Sequence, residues 1–472
     1  MKKTIYILLM ITAALSSCSN DDYINVIPAK SIALLSVDMQ QISQEQQKQN
    51  QGITQLVQSL FGDNYNNGQI GIDLTSKLYF FESAEGTLGL VARLSDQKQL
   101  KKTLEELSDK GHCQQPSKRQ GVSYAFLKGS WMVGFNDQAL MIMGPVVPAQ
   151  QTETMQQMGR YFKQEDDRSI KTSPLFERLE TIDAPISMIA KISAFPIIVA
   201  DPLSFGAPKD ADHSQIILCA GMTIEDKCLF IDGETFSFNQ RIDKALSDSK
   251  KIFHNIGKHY TACLTDKPLI QMLTNAKGQE LLPVLIQNKS FQTLLTGANA
   301  VVDMNKIINS IDGDIMIAAD NVAAKEKQFA MEADLADTHF WNDVDYWKKS
   351  RPAGSSFELY TKPGDNYSSY RYTDGHLNFF FSIEKPTKDN TSSNQNKFTC
   401  STDEELFCRL LDRQTSVSKV ATLPSQIVNK AEASKMCIIC NMKRLDNDTA
   451  QMLNSFVTPL LGQINFIIYS MK

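Results

Sequence analysis

The order of strand, helix and turn signals runs twice along this chain, and that repetition constrains the fold more than any other feature. In the first run, Ile27-Pro28-Ala29 leads into a strand at 31–37 that ends at Asp38. Ile53, Leu56, Val57 and Leu60 then recur at helical spacing within 52–62. After Gly71-Ile72-Asp73-Leu74 come strands at 78–81 and 87–94. A helix opens at Ser95-Asp96, where a short polar side chain caps free amides, and Leu100, Leu104 and Leu107 form its apolar stripe. A three-strand meander closes the unit at 122–127, 131–135 and 139–143, with turns at Lys128-Gly129 and Asn136-Asp137.

The second run places a strand at 260–264, a helix start at Gly278, and Ile311-Asp312 where Ile72-Asp73 stood. Strands at 315–319 and 328–335 precede a helix near Asp337 with Phe340, Val344 and Trp347 as its stripe. The meander returns at 357–361, 367–372 and 376–383, with turns at Pro363-Gly364 and Asp374-Gly375. In its last strand Leu377, Phe379, Phe381 and Ile383 alternate onto one face. Further matches pair 175–179 with 406–410, 185–192 with 435–442, and 215–224 with 463–469. Segments 201–210 and 386–397 read as exposed loops. The expected fold is therefore α+β: two related halves, each an antiparallel sheet of strand pairs and a meander packed by a few helices. The halves span 26–250 and 251–472, with the boundary between Asn239 and Lys258. At 472 residues, the chain exceeds what one core usually serves.

The N-terminus reads as an address. Lys2 and Lys3 precede an apolar run at 5–15 that is too short to span a bilayer, followed by Leu15-Ser16-Ser17-Cys18. This is a signal peptide at 1–17 with lipidation of Cys18, and residues 18–25 form an acylated tether. An ordinary secretory signal with an incidental cysteine is the alternative. Ser19, Asn20, Asp21 and Asp22 resemble the acidic export tag of surface lipoproteins in Bacteroidetes, against a plain solvated tether. The expected location is the outer membrane, lipid-anchored and cell-surface exposed, the periplasmic face being the alternative.

Removing the two lysines with the signal peptide takes the net charge from −5 to −7. No basic patch interleaved with aromatics occurs, which argues against nucleic acid as a partner. Of nine cysteines, Cys18 goes to the lipid and the rest follow no framework. Cys437 and Cys440 sit three apart in an apolar strand, so their sulfurs point to opposite faces. Known catalytic patterns are missing. Ser204 has Pro202 where a nucleophile elbow needs glycine. Gly257-Lys258-His259 lacks the rest of a P-loop. His254 and His259 sit about 140° apart on a helix, poor spacing for a shared metal. No catalytic, metal or cofactor residue is assigned. Trp131, Trp341, Tyr370 and Tyr372, with Trp347 and Tyr367, are weak candidates for an aromatic ligand platform, set against core packing. Asp448-Thr449-Ala450 resembles an O-glycosylation acceptor.

The lipobox with its acidic tail, Ile27-Pro28-Ala29 before Val37-Asp38, and Gly71-Ile72-Asp73-Leu74 before Leu78-Tyr79-Phe80-Phe81 resemble an uncharacterised Bacteroidetes lipoprotein family of about this length. That family is defined as a domain of unknown function. The resemblance implies envelope location and an α+β build, and carries no catalytic residue. The functional expectation is a non-catalytic envelope protein that binds another protein or a glycan. The competing expectation is an envelope hydrolase with dispersed catalytic carboxylates.

Overall fold

The computed structural model describes residues 21–45, 70–127, 130–257, 260–261, 264–320, 328–360, 368–384, 396–412, 423–445 and 463–471. The chain divides into two compact units, 1–190 and 191–472.

In the first unit, the first described element is a short 3-10 helix at Asp22–Val26, whose Tyr23 and Ile24 are buried. Then come β1 (Ala33–Val37), α1 (Met39–Glu45), β2 (Leu78–Glu82), β3 (Leu88–Arg93) and α2 (Gln97–Asp109). Four strands follow, β4 (Ser117–Arg119), β5 (Val122–Leu127), β6 (Trp131–Phe135) and β7 (Ala139–Gly144). The unit closes with α3 (Gln151–Tyr161), α4 (Pro174–Leu179) and β8 (Ile186–Lys191). Its antiparallel sheet has the order β8-β1-β2-β3-β7-β6-β5-β4. The α2 helix forms as its residues dictate: the Asp96 carboxylate accepts from the amides of Lys98 and Gln99, and Leu100, Leu104 and Leu107 are buried. Gly71 holds a positive φ of 76°, and a Cβ there would meet the Asp96 carbonyl oxygen at 2.1 Å. Only glycine permits that approach.

The second unit opens with α5 (Ile197–Leu203), the hairpin β9 (Ile217–Glu225) and β10 (Cys228–Phe236), α6 (Gln240–Lys250) and β11 (Phe253–His254). Next are β12 (Ile270–Lys277), the helices α7 (Gly278–Leu285), α8 (Lys289–Ala298) and α9 (Met304–Asn309), then β13 (Ile311–Asp320) and β14 (Gln328–Leu335). After α10 (Val344–Ser350) come β15 (Ser356–Leu359), β16 (Ser368–Thr373), β17 (Asn378–Glu384) and β18 (Asn396–Ser401). The last elements are α11 (Glu404–Asp412), α12 (Ser425–Glu432), β19 (Met436–Asn441) and β20 (Phe466–Met471). The strand order β19-β12-β13-β14-β18-β17-β16-β15 repeats that of the first unit, position for position. The α+β class and the two related halves are thus explicit in the pairing.

Several sequence expectations move. The place expected for a strand at 260–264 is held by β12: among the described residues 260, 261 and 264 none is in a strand, and Tyr260 is buried by packing. The second meander is displaced by one strand. β15, β16 and β17 occupy the places of β4, β5 and β6, and the partner of β7 is β18. The polar composition of 386–397 predicts a loop, yet Asn396 and Lys397, its described residues, belong to β18, where Lys397 sits buried with its ammonium 5.1 Å from the centre of the Tyr260 ring. The match of 175–179 with 406–410 slips likewise, since α12, not α11, precedes β19 as α4 precedes β8. Segment 201–210 is not simply exposed: Asp201–Leu203 end α5, and Phe205 packs 5.6 Å from Phe253. The correspondence of 215–224 with 463–469 fails in pairing, because β20 lies between β19 and β10 while β9 pairs on β10's other side. The parallel β10–β20 pairing joins the β9–β10 hairpin to the sheet of the second unit.

The Ile311-Asp312 match is borne out: Ile72 bridges Leu94, and Ile311 pairs with Leu335. Phe379, Phe381 and Ile383 share the core cluster on one face of β17, with Leu377 packed against it. The helix expected at 52–62, the turns at Lys128-Gly129 and Pro363-Gly364, Cys18, Ser19, Asn20, His259, Tyr367 and Asp448-Thr449-Ala450 lie outside the described residues.

Candidate functional site: an apolar cleft in the second unit

The sheet of the second unit has apolar side chains on both faces, and the faces are covered differently. On one, Leu273, Met316, Ala330, Cys437, Ile439 and Ile468 are 0–2% exposed beneath Leu410 of α11, Ile427 and Ala431 of α12, and Tyr260. On the other, Met272, Ile317, Phe329, Met436, Ile438 and Met471 are only half-buried. Helices α5 to α9 stand over this second face and leave a cleft of about 1700 Å³.

Register explains the floor. Ile438 lies opposite Met272, Met272 opposite Ile317, Ile317 opposite Met331, and Met331 opposite Cys400. Because side chains alternate, one apolar row crosses five strands. The walls are Leu281 and Leu285 of α7, Phe291 and Leu295 of α8, and Met304 and Ile308 of α9. Gly278 sets how closely α7 approaches α9: a Cβ there would stand 1.6 Å from the Ile308 carbonyl oxygen.

Polar groups lie at the extremes of this row. On β10, Glu234 pairs with Lys250 of α6 at 3.2 Å. Nearby, the Tyr469 hydroxyl donates to the Gly233 carbonyl at 3.2 Å, and burial, reinforced by Glu234, pushes its pKa up to about 12. At the β16–β17 end stand Arg371, His376, Asn378, Asp403 and Glu404. The carboxylates there are engaged. Asp403 caps α11 through the Leu406 amide at 2.8 Å and accepts from Gln328 Nε2 at 3.0 Å, while Glu404 accepts from the Tyr360 hydroxyl. Arg371 Nη2 donates to Asn378 Oδ1 at 3.2 Å, and its Nε is buried without a hydrogen-bond partner.

A second polar cluster is buried on the closed face. Asp334 accepts from the Tyr260 hydroxyl at 3.2 Å and from the Asp314 amide at 3.2 Å. Asp314 accepts from the Gly257 amide at 2.9 Å and from Asn275 at 2.7 Å. Burial first, then the neighbouring Glu332 and Asp334 charges, holds the Tyr260 hydroxyl well above its ordinary pKa. These bonds tie the chain before β12 to the sheet.

The sequence-derived candidates lie elsewhere. Trp341 packs 5.4 Å from Tyr370 and 5.8 Å from Phe381, inside the aromatic core that includes Trp347, while Tyr372 is 3% exposed. Trp131 belongs to β6 of the first unit, against Gly144. None of the four lines the cleft. Ser204 Oγ donates to the Asp201 carbonyl at 2.7 Å. Cys437 and Cys440 are free thiols. Among the described residues no cluster of His, Cys, Asp or Glu has the makings of a metal site, and no helix is long and apolar enough to cross a membrane. The cleft residues escaped sequence reasoning because an apolar strand reads the same whether its second face is closed or open.

No curated protein and no solved structure matches this chain. A family model described as a domain of unknown function, DUF4836, matches residues 23–403, from the first 3-10 helix through the sheet of the first unit and β9 to β18 of the second, to the cap of α11; β19 and β20 lie beyond it. The chain belongs to the DUF4836 family.

Proposed function

We propose that this chain is an exported, lipid-anchored envelope protein of the Bacteroidetes kind, and that its second unit binds a partner without chemistry on it. The single observation that carries the binding role is the cleft of about 1700 Å³, larger than most small-molecule sites and lined by aliphatic and methionine side chains. The acids on its margin, Glu234, Asp403 and Glu404, are each held by Lys250, Gln328 or Tyr360. A hydrolase would need a pair of them free to converge on one bond. The anchoring rests on Lys2, Lys3, the apolar run and Ser16-Ser17-Cys18.

The test is photo-cross-linking in living cells with a reactive phenylalanine analogue in place of Phe291 on the cleft wall. A discrete adduct is expected there and not from the same analogue in place of Ile439 on the closed face. Equal labelling from both positions, or none from Phe291, removes the cleft as the binding site. Protease shaving of intact cells reads the location separately: digestion before lysis is expected, and protection until lysis would put the chain on the inner face.

A further inference from the structure

The floor of the cleft runs across seven strand-to-strand steps, from β10 to β17, which at about 4.8 Å per step is roughly 34 Å. Over most of that length the backbone groups of the floor are spent on neighbouring strands, so a ligand meets only side chains. Most of those side chains are isoleucine, phenylalanine and methionine (Ile315, Ile317, Phe329, Met272, Met436 and Met471), and the hydroxyls of Thr274 and Tyr469 beside them are spent on the Lys435 and Gly233 carbonyls. A peptide laid there would leave its amides and carbonyls unpaired, and a glycan its hydroxyls. A hydrocarbon chain has nothing to leave unpaired.

Two further observations fit such a ligand. Methionines adapt to chains of differing length and shape. At one side, α5 and the end of α7 form an exposed apolar rim: Ile197 is 72% exposed, Val199 42% and Ile286 42%. Asn288 ties the two segments together, donating to the Asp201 carbonyl at 2.9 Å. Val199 and Leu285 line the cleft beside that rim. Exposed apolar groups at the mouth of an apolar cleft suit transfer from a membrane surface.

We propose that the cleft of the second unit holds the acyl chains of a membrane lipid, admitted over the rim of Ile197, Val199 and Ile286. This rests on the cleft being the binding site and names the chemistry of what it binds.

The experiment uses the full chain freed of detergent, a fluorescent polyene fatty acid as probe, and saturated fatty acids of increasing length as competitors. Competitor affinity is expected to rise about three- to fourfold per added methylene until the cleft is filled. Ile317→Trp, which fills the middle of the floor, is expected to weaken probe binding at least about tenfold. Met436→Trp repeats the test at a half-exposed position if the first variant does not fold. Lysophospholipid competitors and labelled phospholipid vesicles distinguish a free acid from an intact lipid. Ile197→Ser with Val199→Ser is expected to slow transfer from vesicles and leave soluble probe affinity unchanged. Affinity independent of chain length, or binding indifferent to both tryptophans, overturns the proposal. If the Phe291 cross-linker captures a peptide segment while no fatty acid binds, the lipid assignment falls and the binding site stands. If neither binds, both fall.

Discussion

The two faces of the second sheet are built from the same strands, alternate residues apart, yet they end in opposite states. Leu273, Cys437 and Ile439 are 0–1% exposed, while their neighbours Met272, Met436 and Ile438 are half-buried. Hydropathy does not separate them, since both sets are aliphatic, methionine or cysteine. The difference lies in what arrives from elsewhere in the chain. Ile427 and Ala431 of α12 close one face completely, whereas α7, α8 and α9 cover the other with a gap. A sheet face thus becomes core or cleft according to the fit of its cover, and an apolar face alone implies neither.

The sharpest test of that contrast is truncation of adjacent residues. Ile439→Ala on the closed face is expected to cost about 2–5 kcal/mol by denaturant unfolding, because a cavity opens in packed core. Ile438→Ala on the cleft side is expected to cost no more than about 1 kcal/mol. Equal losses would mean that the cleft is closed in solution.

Next in size, Tyr260→Phe removes the donor that Asp334 holds at 3.2 Å on the closed face and is expected to cost about 1–3 kcal/mol, read by the same unfolding curve. A loss near zero would show that the remaining donors suffice.

A third test uses the thiols. Burial pushes the Cys437 thiol from 9.0 up to about 12, offset in part by Lys430, and the Cys400 thiol likewise to about 12. The folded chain therefore holds these protons more tightly than the unfolded chain. That preference is whole below pH about 9 and is lost as pH rises through about 12, so stability should fall across this alkaline window. Alkylation at pH 8 should label both thiols only as the chain unfolds; rapid native labelling of Cys437 would break the closed-face assignment.

The smallest effect belongs to the polar end of the cleft. Lys250→Met, removing a pair whose members are 28% and 47% exposed, is expected to change stability by under about 1 kcal/mol, read as a shift in thermal midpoint.

Much of the fold was legible because local chemistry wrote it. The Asp96 cap, the Leu100-Leu104-Leu107 stripe and the alternation Phe379-Phe381-Ile383 act within one element. The repeat was legible for the same reason, as a succession of such elements. Its exact alignment was not: β18 starts in a polar stretch and Lys397 is buried by a tertiary contact with Tyr260, so composition pointed to loop. Trp341 and Tyr370 are half-buried against the aromatic core and pack on one another and on Phe381, contacts made between distant elements.

The amino-acid order by itself determined local elements such as α2 and β17, that the set occurs twice, and that β19 is apolar on both faces. Only the tertiary structure decided that β20 carries the β9–β10 hairpin onto the second sheet, and that one face is sealed while the other is left open. The physical reason is range. Periodicity and capping act over a few residues, whereas closure of a face depends on the shape match between a strand and helices many tens of residues away.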